Sequence, residues 1–230
     1  MNKYDKGQSM TSQASVAIDQ SSAPSPSHWD ASVADENQRY RSGAYRLLAS
    51  LLRSSPDQAM LDHVKSLGEI ENGNDELSVA LQMLGLAAQH CDVETIDDEF
   101  HALFIGLGRG ELVPYGSWYL TGFLMEKPLA TLRDDLARMG FERNEDISEP
   151  EDHFAALAEV MSLIIDEGVQ DPATAGMGMQ QQFFEMHIGP WAGKFFEDMT
   201  SASSAVFYRS VGRLGSAFID FEQQFLTMRV

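Results

Sequence analysis

From Asp35 onward the apolar residues of this chain recur at three- and four-residue steps, and that period restricts it to helices. Tyr40, Ala44, Leu47, Leu48, Leu51 and Leu52 share one helical face. "SSP" at 54–56 stops that helix, because proline has no N–H to donate and crowds the preceding turn. Short helices are expected around Asp57–Leu67 and Asp75–His90, separated by the turn "ENGND". In "VETIDDEFHALFIGL", Ile96, Phe100, Leu103, Phe104 and Leu107 again align. "WYLTGFLM" continues the helical pattern, Pro128 suits the first turn of the next helix, and Gly140 suits its C′ position. Ser148 and Glu151 read as a capping box, with Pro150 in the first turn, before the stripe Phe154, Leu157, Met161, Ile164 and Ile165. Helices around Ala173–His187, Pro190–Met199 and Ser204–Met228 complete the chain. Extended alternating runs are absent, so the expected fold is all-α, a single-domain bundle of about nine helices over 35–230. Residues 1–34, rich in Ser, Ala, Gln and Pro, read as a disordered tail, and the glycine-rich stretch near 106–117 as a hinge.

Charge narrows the partners. Lys and Arg number 16 against 35 Asp and Glu, a net charge of −19. A chain this acidic repels phosphate backbones, which argues against nucleic acid, and attracts basic peptides; the plainer reading of the same charge is solubility. The single cysteine, Cys91, permits no internal disulfide and fits a reducing compartment. No apolar run is long enough to span a bilayer and the N-terminus shows no secretory pattern, so the chain reads as a soluble cytoplasmic protein.

Motifs that could carry chemistry are few. His101, His153, His187 and Cys91 lack metal-ligand spacing, so no metal is expected, and no nucleophile motif marks an enzyme. "GLGRG" at 106–110 could offer N–H groups to an anion, with Arg109 reading phosphate. A guanine-nucleotide-binding or hydrolysing protein is therefore the alternative reading, beside a generic interaction module. The loop lacks the strand before it and the Gly-Lys-Ser/Thr ending that phosphate loops carry, which favours a hinge. "SEPEDH" at 148–153 is left partly unexplained by capping: His153 lies one turn before Leu157, at the border of the apolar stripe. "HIGPW" at 187–191 sets Pro190 at a helix boundary and Trp191 in a core or a groove.

Three of these motifs occur together. Phe100, Leu103 and Phe104 form an aromatic-x-x-Leu-Phe signature, Pro114, Tyr115, Ser117 and Tyr119 a Pro-Tyr-x-Ser-x-Tyr hinge, and Glu149, Pro150, Asp152 and His153 a complete Glu-Pro-x-Asp-His motif. With "HIGPW" following, the chain from about Asp35 resembles the TorD/DmsD/NarJ family of redox-enzyme maturation chaperones. The resemblance implies a cytoplasmic chaperone of anaerobic respiration that binds the twin-arginine signal peptide, or the apo form, of a molybdoenzyme until its cofactor is inserted. It implies no stably bound cofactor, weak GTP binding in some members, and a monomer or a domain-swapped dimer. On this reading Asp152 and Glu149 meet the arginines and His153 lies at the groove lip, while Tyr115, Ser117, Trp118, Tyr119, Phe123 and Trp191 belong to the surrounding groove. Phe100, Leu103, Phe104, Pro114 and Pro150 are expected to be structural.

Overall fold

The computed structural model describes residues 28–69, 73–106, 110–141, 149–170 and 176–228. Ten α-helices lie in them: α1 (His28–Arg53), α2 (Gln58–Gly68), α3 (Glu76–Gln89), α4 (Val93–Phe100), α5 (Gly116–Thr121), α6 (Lys127–Arg138), α7 (Phe154–Gln170), α8 (Met177–Phe183), α9 (Ala192–Ser201) and α10 (Phe207–Met228). Single π-turns extend α4 over His101–Ile105 and α8 over Phe184–Ile188. Among the described residues the one strand-like pairing is an isolated bridge between Tyr115 and His153. None of the described helices is long and apolar enough to cross a membrane.

Helix starts follow the local chemistry. Asp57, Asp75 and Asp92 each accept a hydrogen bond from the backbone N–H three residues on, the usual side-chain cap. Gly140, at φ 83°, ends α6. The N–H of Gly140 reaches the Ala137 carbonyl and that of Phe141 the Leu136 carbonyl, the paired C-terminal bonds of a Schellman motif.

Three expectations need correction. The helix expected from Asp35 begins at His28, inside the stretch read as a tail. The "WYLTGFLM" helix stops at Thr121, because Gly122 turns left-handed (φ 82°) and its N–H closes on the Trp118 carbonyl. Met125 also takes a positive φ of 59°. Finally, α7 opens at Phe154 rather than Ser148. Residues 149–153 form a turn, in which the His153 N–H bonds the Pro150 carbonyl and the Phe154 N–H bonds the Pro114 carbonyl. Pro150 is therefore outside the helix, and the Ser148 half of the proposed box lies outside the described residues.

Helix α1 packs along α7 and α9 along α10, while α2 pairs with α3, which rests on α10. The aromatic signature is core: Phe100 is 7% exposed and Leu103 fully buried, and the Phe100 ring meets Phe104 at 5.0 Å and Tyr208 at 5.9 Å. Glu99 is buried just before it, because its carboxylate accepts the N–H groups of Val206, Phe207 and Tyr208 and so caps α10.

A polar network that the sequence pattern does not announce sits where α1, α8 and α10 meet. Arg41 and Glu222, 1% and 0% exposed, pair through two hydrogen bonds of 2.5 and 2.8 Å. The Tyr45 hydroxyl donates to Glu222 at 3.0 Å, Arg41 donates to Gln180 at 2.6 Å, and its guanidinium lies 4.4 Å from the centre of the Phe225 ring. Each guanidinium nitrogen has an acceptor, Nη1 reaching Gln38 as well as Gln180, which makes so buried a charge pair tolerable.

Two outcomes follow for urea unfolding. Phe100→Ala should cost about 3–5 kcal/mol, as large core truncations do. Glu222→Gln, which strands a buried guanidinium, should cost about 3–5 kcal/mol, and the double replacement Arg41→Met with Glu222→Leu should cost less than Glu222→Gln alone.

Candidate functional site

The two motif segments 114–117 and 150–154, far apart in sequence, are joined by backbone. The Gly116 N–H donates to the Asp152 carbonyl at 2.9 Å, and the Phe154 N–H to the Pro114 carbonyl at 2.9 Å. Asp152 then turns inward, 3% exposed, and its Oδ2 accepts the Ser117 N–H at 2.8 Å, holding the first turn of α5. Its other oxygen, Oδ1, is buried and makes no hydrogen bond, and neither does the buried Ser117 Oγ. A buried acceptor left without a donor is costly, so an unmatched carboxylate oxygen marks a place where a ligand can supply one.

Asp152 borders a cleft of about 340 Å³ between α5, α6, the start of α7 and the π-turn after α8. Its walls are mostly apolar: Leu120, Pro128, Leu132, Leu157, Met186 and Trp191. Lys127 stands at its exposed rim. Trp191 is 2% exposed, because its Nε1–H donates to the His187 carbonyl at 2.7 Å and its ring stacks on Tyr119 at 5.5 Å. Gly116 is close enough to that indole that a Cβ there would lie 3.1 Å from its nitrogen, so the position has little room for a side chain.

Beside the cleft, His153 caps α7. Its Nδ1 accepts the Ala155 N–H at 3.1 Å, and it is 4% exposed rather than at a groove lip. Burial, helped by the charge of Arg53, pushes its pKa down to about 3. The ring is therefore neutral, and its 3.7 Å approach to Glu149 is not an ion pair. Glu149 is only half-buried; it accepts the Tyr115 hydroxyl at 3.3 Å and lies 3.6 Å from Arg53. Burial raises its pKa, opposed by the Arg53 charge, and burial first and Glu149 second raise that of Tyr115.

The remaining motif residues are dispersed. Trp118 and Tyr119 line a separate hollow with Asp198, which accepts the Tyr119 hydroxyl at 3.2 Å. Phe123, 68% exposed, stands on the turn after α5 with Leu124 and Met125. Of the glycine loop, residues 107–109 lie outside the described residues. Gly110 is explained by packing, since a Cβ there would come within 2.4 Å of the Leu103 carbonyl oxygen. Among the described residues no group of three or more metal-ligating side chains converges.

Sequence reasoning missed His187 and Asp135 as a pair. His187 Nε2 lies 2.8 Å from Asp135 Oδ2, and each residue is 9% exposed. Burial lowers the His187 pKa and Asp135 works against that shift. The "HIGPW" motif carried the only hint, without a partner. A wider groove of about 580 Å³ also runs between α1, α2, α3 and α10. Among the described residues its charged and ionisable lining groups are Arg39, Tyr40, Arg41 and His63.

The family described as nitrate reductase delta subunit matches residues 70–197. A chaperone protein TorD from Vibrio atlanticus (strain LGP32) is 27% identical over 202 residues, covering 81% of this chain and 94% of its own. A TorD from Vibrio cholerae serotype O1 (strain ATCC 39541) is 29% identical over 193 residues, covering 82% and 81%. A solved chain described as a redox enzyme maturation protein from Archaeoglobus fulgidus shares the fold at TM-score 0.51 and 20% identity, over 78% of this chain and 93% of that one. The names of these relatives are those of chaperones, not enzymes. With the family match spanning more than half of its length, the chain belongs to the TorD/NarJ family of redox-enzyme maturation chaperones.

Proposed function

We propose that this chaperone acts in the cytoplasm on a molybdoenzyme precursor, and that it binds the precursor's twin-arginine signal peptide in the cleft floored by Asp152. Holding that peptide delays export until the cofactor has been inserted in the client; the chaperone contributes no chemistry of its own. One observation carries the reading: Asp152, with one buried carboxylate oxygen that has no donor, lines an apolar cleft. A guanidinium supplies the missing donor and the opposite charge together. The apolar walls formed by Leu120, Leu132 and Met186 suit the hydrophobic stretch that follows the arginines in such a signal. The wider groove is the poorer choice, because Arg39 and His63 there offer no acceptor charge to a cationic peptide.

Glu149 and Tyr115 support the site from the side, and His153 and Ser117 fix its frame. Phe123, next to the cleft on an exposed turn, extends the apolar surface. The acidic surface of the chain, at net −19, steers a basic peptide toward it and makes binding salt-dependent.

Calorimetric titration with synthetic twin-arginine signal peptides from the molybdoenzyme precursors of the source genome tests the proposal. Asp152→Asn is the informative variant: its amide oxygen still accepts the Ser117 N–H, so α5 keeps its cap while the charge is gone. Binding should weaken roughly tenfold to a hundredfold, the loss of one charge-assisted hydrogen bond. Unaltered affinity would remove Asp152 from the peptide site, and absence of binding to every peptide would overturn the function.

A further inference from the structure

We propose that the peptide cleft continues beneath α6 past the Asp135–His187 hydrogen bond, and that Asp135 is a second acceptor for a guanidinium of the bound peptide. The inference rests on the signal-peptide reading above and names residues that reading does not use.

The geometry is that of a trough with a bar across it. On one side of His187 is the cleft of about 340 Å³; on the other is a second cavity of about 210 Å³, lined by Asp135, Arg138, Met139, Met179 and Phe183. His187 lines both. The hydrogen bond from its Nε2–H to Asp135 Oδ2, at 2.8 Å, spans from the π-turn to α6. In the proposed bound state that imidazole turns aside and the two cavities join along α6.

The second cavity already shows what it accepts. Asp135 Oδ1 holds the guanidinium of Arg138, one turn further along the same helix. Arg138 is 69% exposed in its side chain, so its guanidinium can leave Asp135 for water without crossing packed structure. An arginine arriving from a peptide therefore replaces a like group rather than opening a new site. Asp135 itself is only 12% exposed in its side chain, so the replacement bond is better shielded from water than a surface pair. Met139 and Met179, unbranched and polarizable, suit a surface that must repack around different neighbours.

The arrangement divides the labour between two carboxylates. Asp152 serves the cleft through its unmatched Oδ1, and Asp135 serves the second cavity after Arg138 swings out. A peptide with two neighbouring arginines satisfies both, and one with a single arginine does not.

The test is a cycle between protein and peptide, read by calorimetry. The probes are a synthetic peptide with an Arg-Arg pair followed by a Leu/Ala-rich stretch, and its two single Arg→Gln versions. Asp135→Asn should weaken the paired peptide about tenfold while changing one of the single-Gln peptides by no more than about twofold. Arg138→Gln, at an exposed position that threatens no fold, should tighten the paired peptide several-fold and lose that gain with the same single-Gln peptide. Equal weakening of all three peptides by Asp135→Asn would assign Asp135 a purely structural role and overturn the inference, as would unchanged binding by both variants. If the unaltered protein binds none of the peptides, the parent reading fails and this one with it; if it binds them but shows no coupling to Asp135, this inference alone fails.

Discussion

The joint between 114–117 and 152–154 sets the position of everything at the site. Two backbone hydrogen bonds and the Ser117–Asp152 bond hold two irregular segments together. From that joint α5 leaves in one direction and α7 in the other. The floor of the cleft is thus made of backbone already satisfied, and one Asp152 oxygen is left over. A carboxylate with one oxygen held and the other unmatched can receive a donor without reorganising, because its orientation is fixed before the ligand arrives. His153, neutral and capping α7, serves the same rigidity; it is a part of the frame that stands beside Asp152.

How much of this was legible in the sequence depends on the range of the interaction. The helices were, because apolar period and N-cap aspartates act within four residues. The shared face of Phe100, Leu103 and Phe104 predicts core; Phe100 and Leu103 are buried, and Phe104 is half-buried against the core. The end of α5 was not, since apolar residues run on past Gly122 while its left-handed φ ends the helix. The start of α7 was misplaced for a tertiary reason: a capping-box pattern gave way to bonds with Pro114 and to the pairing of His153 with Tyr115.

At the site, motif resemblance brought Asp152, Ser117 and Trp191 onto one page, and the fold explains why they belong together. It could not separate roles. Asp152 and His153 are adjacent in the motif, yet one borders the cleft and the other caps a helix. Trp118 and Tyr119 follow Ser117 directly but face another hollow. Arg41 with Glu222, and Asp135 with His187, were invisible because each charge looks like an ordinary solvated residue on its own helix. Only partners 181 and 52 positions away reveal them as buried.

The Arg41–Glu222 pair has a consequence for how the molecule comes into being. One partner is in α1 and the other in α10, 181 positions later, so during synthesis the guanidinium lacks its carboxylate until α10 has emerged. Glu222 and Phe225 of α10 both lie on Arg41, so this part of α1 gains its counter-charge and part of its cover from the same helix, and neither arrives before α10 is made. Until then Arg41 is left to solvent, and the side of α1 that faces α10 lacks that cover. Premature termination within α10 would leave a chain that cannot complete its core rather than a shortened but working chaperone.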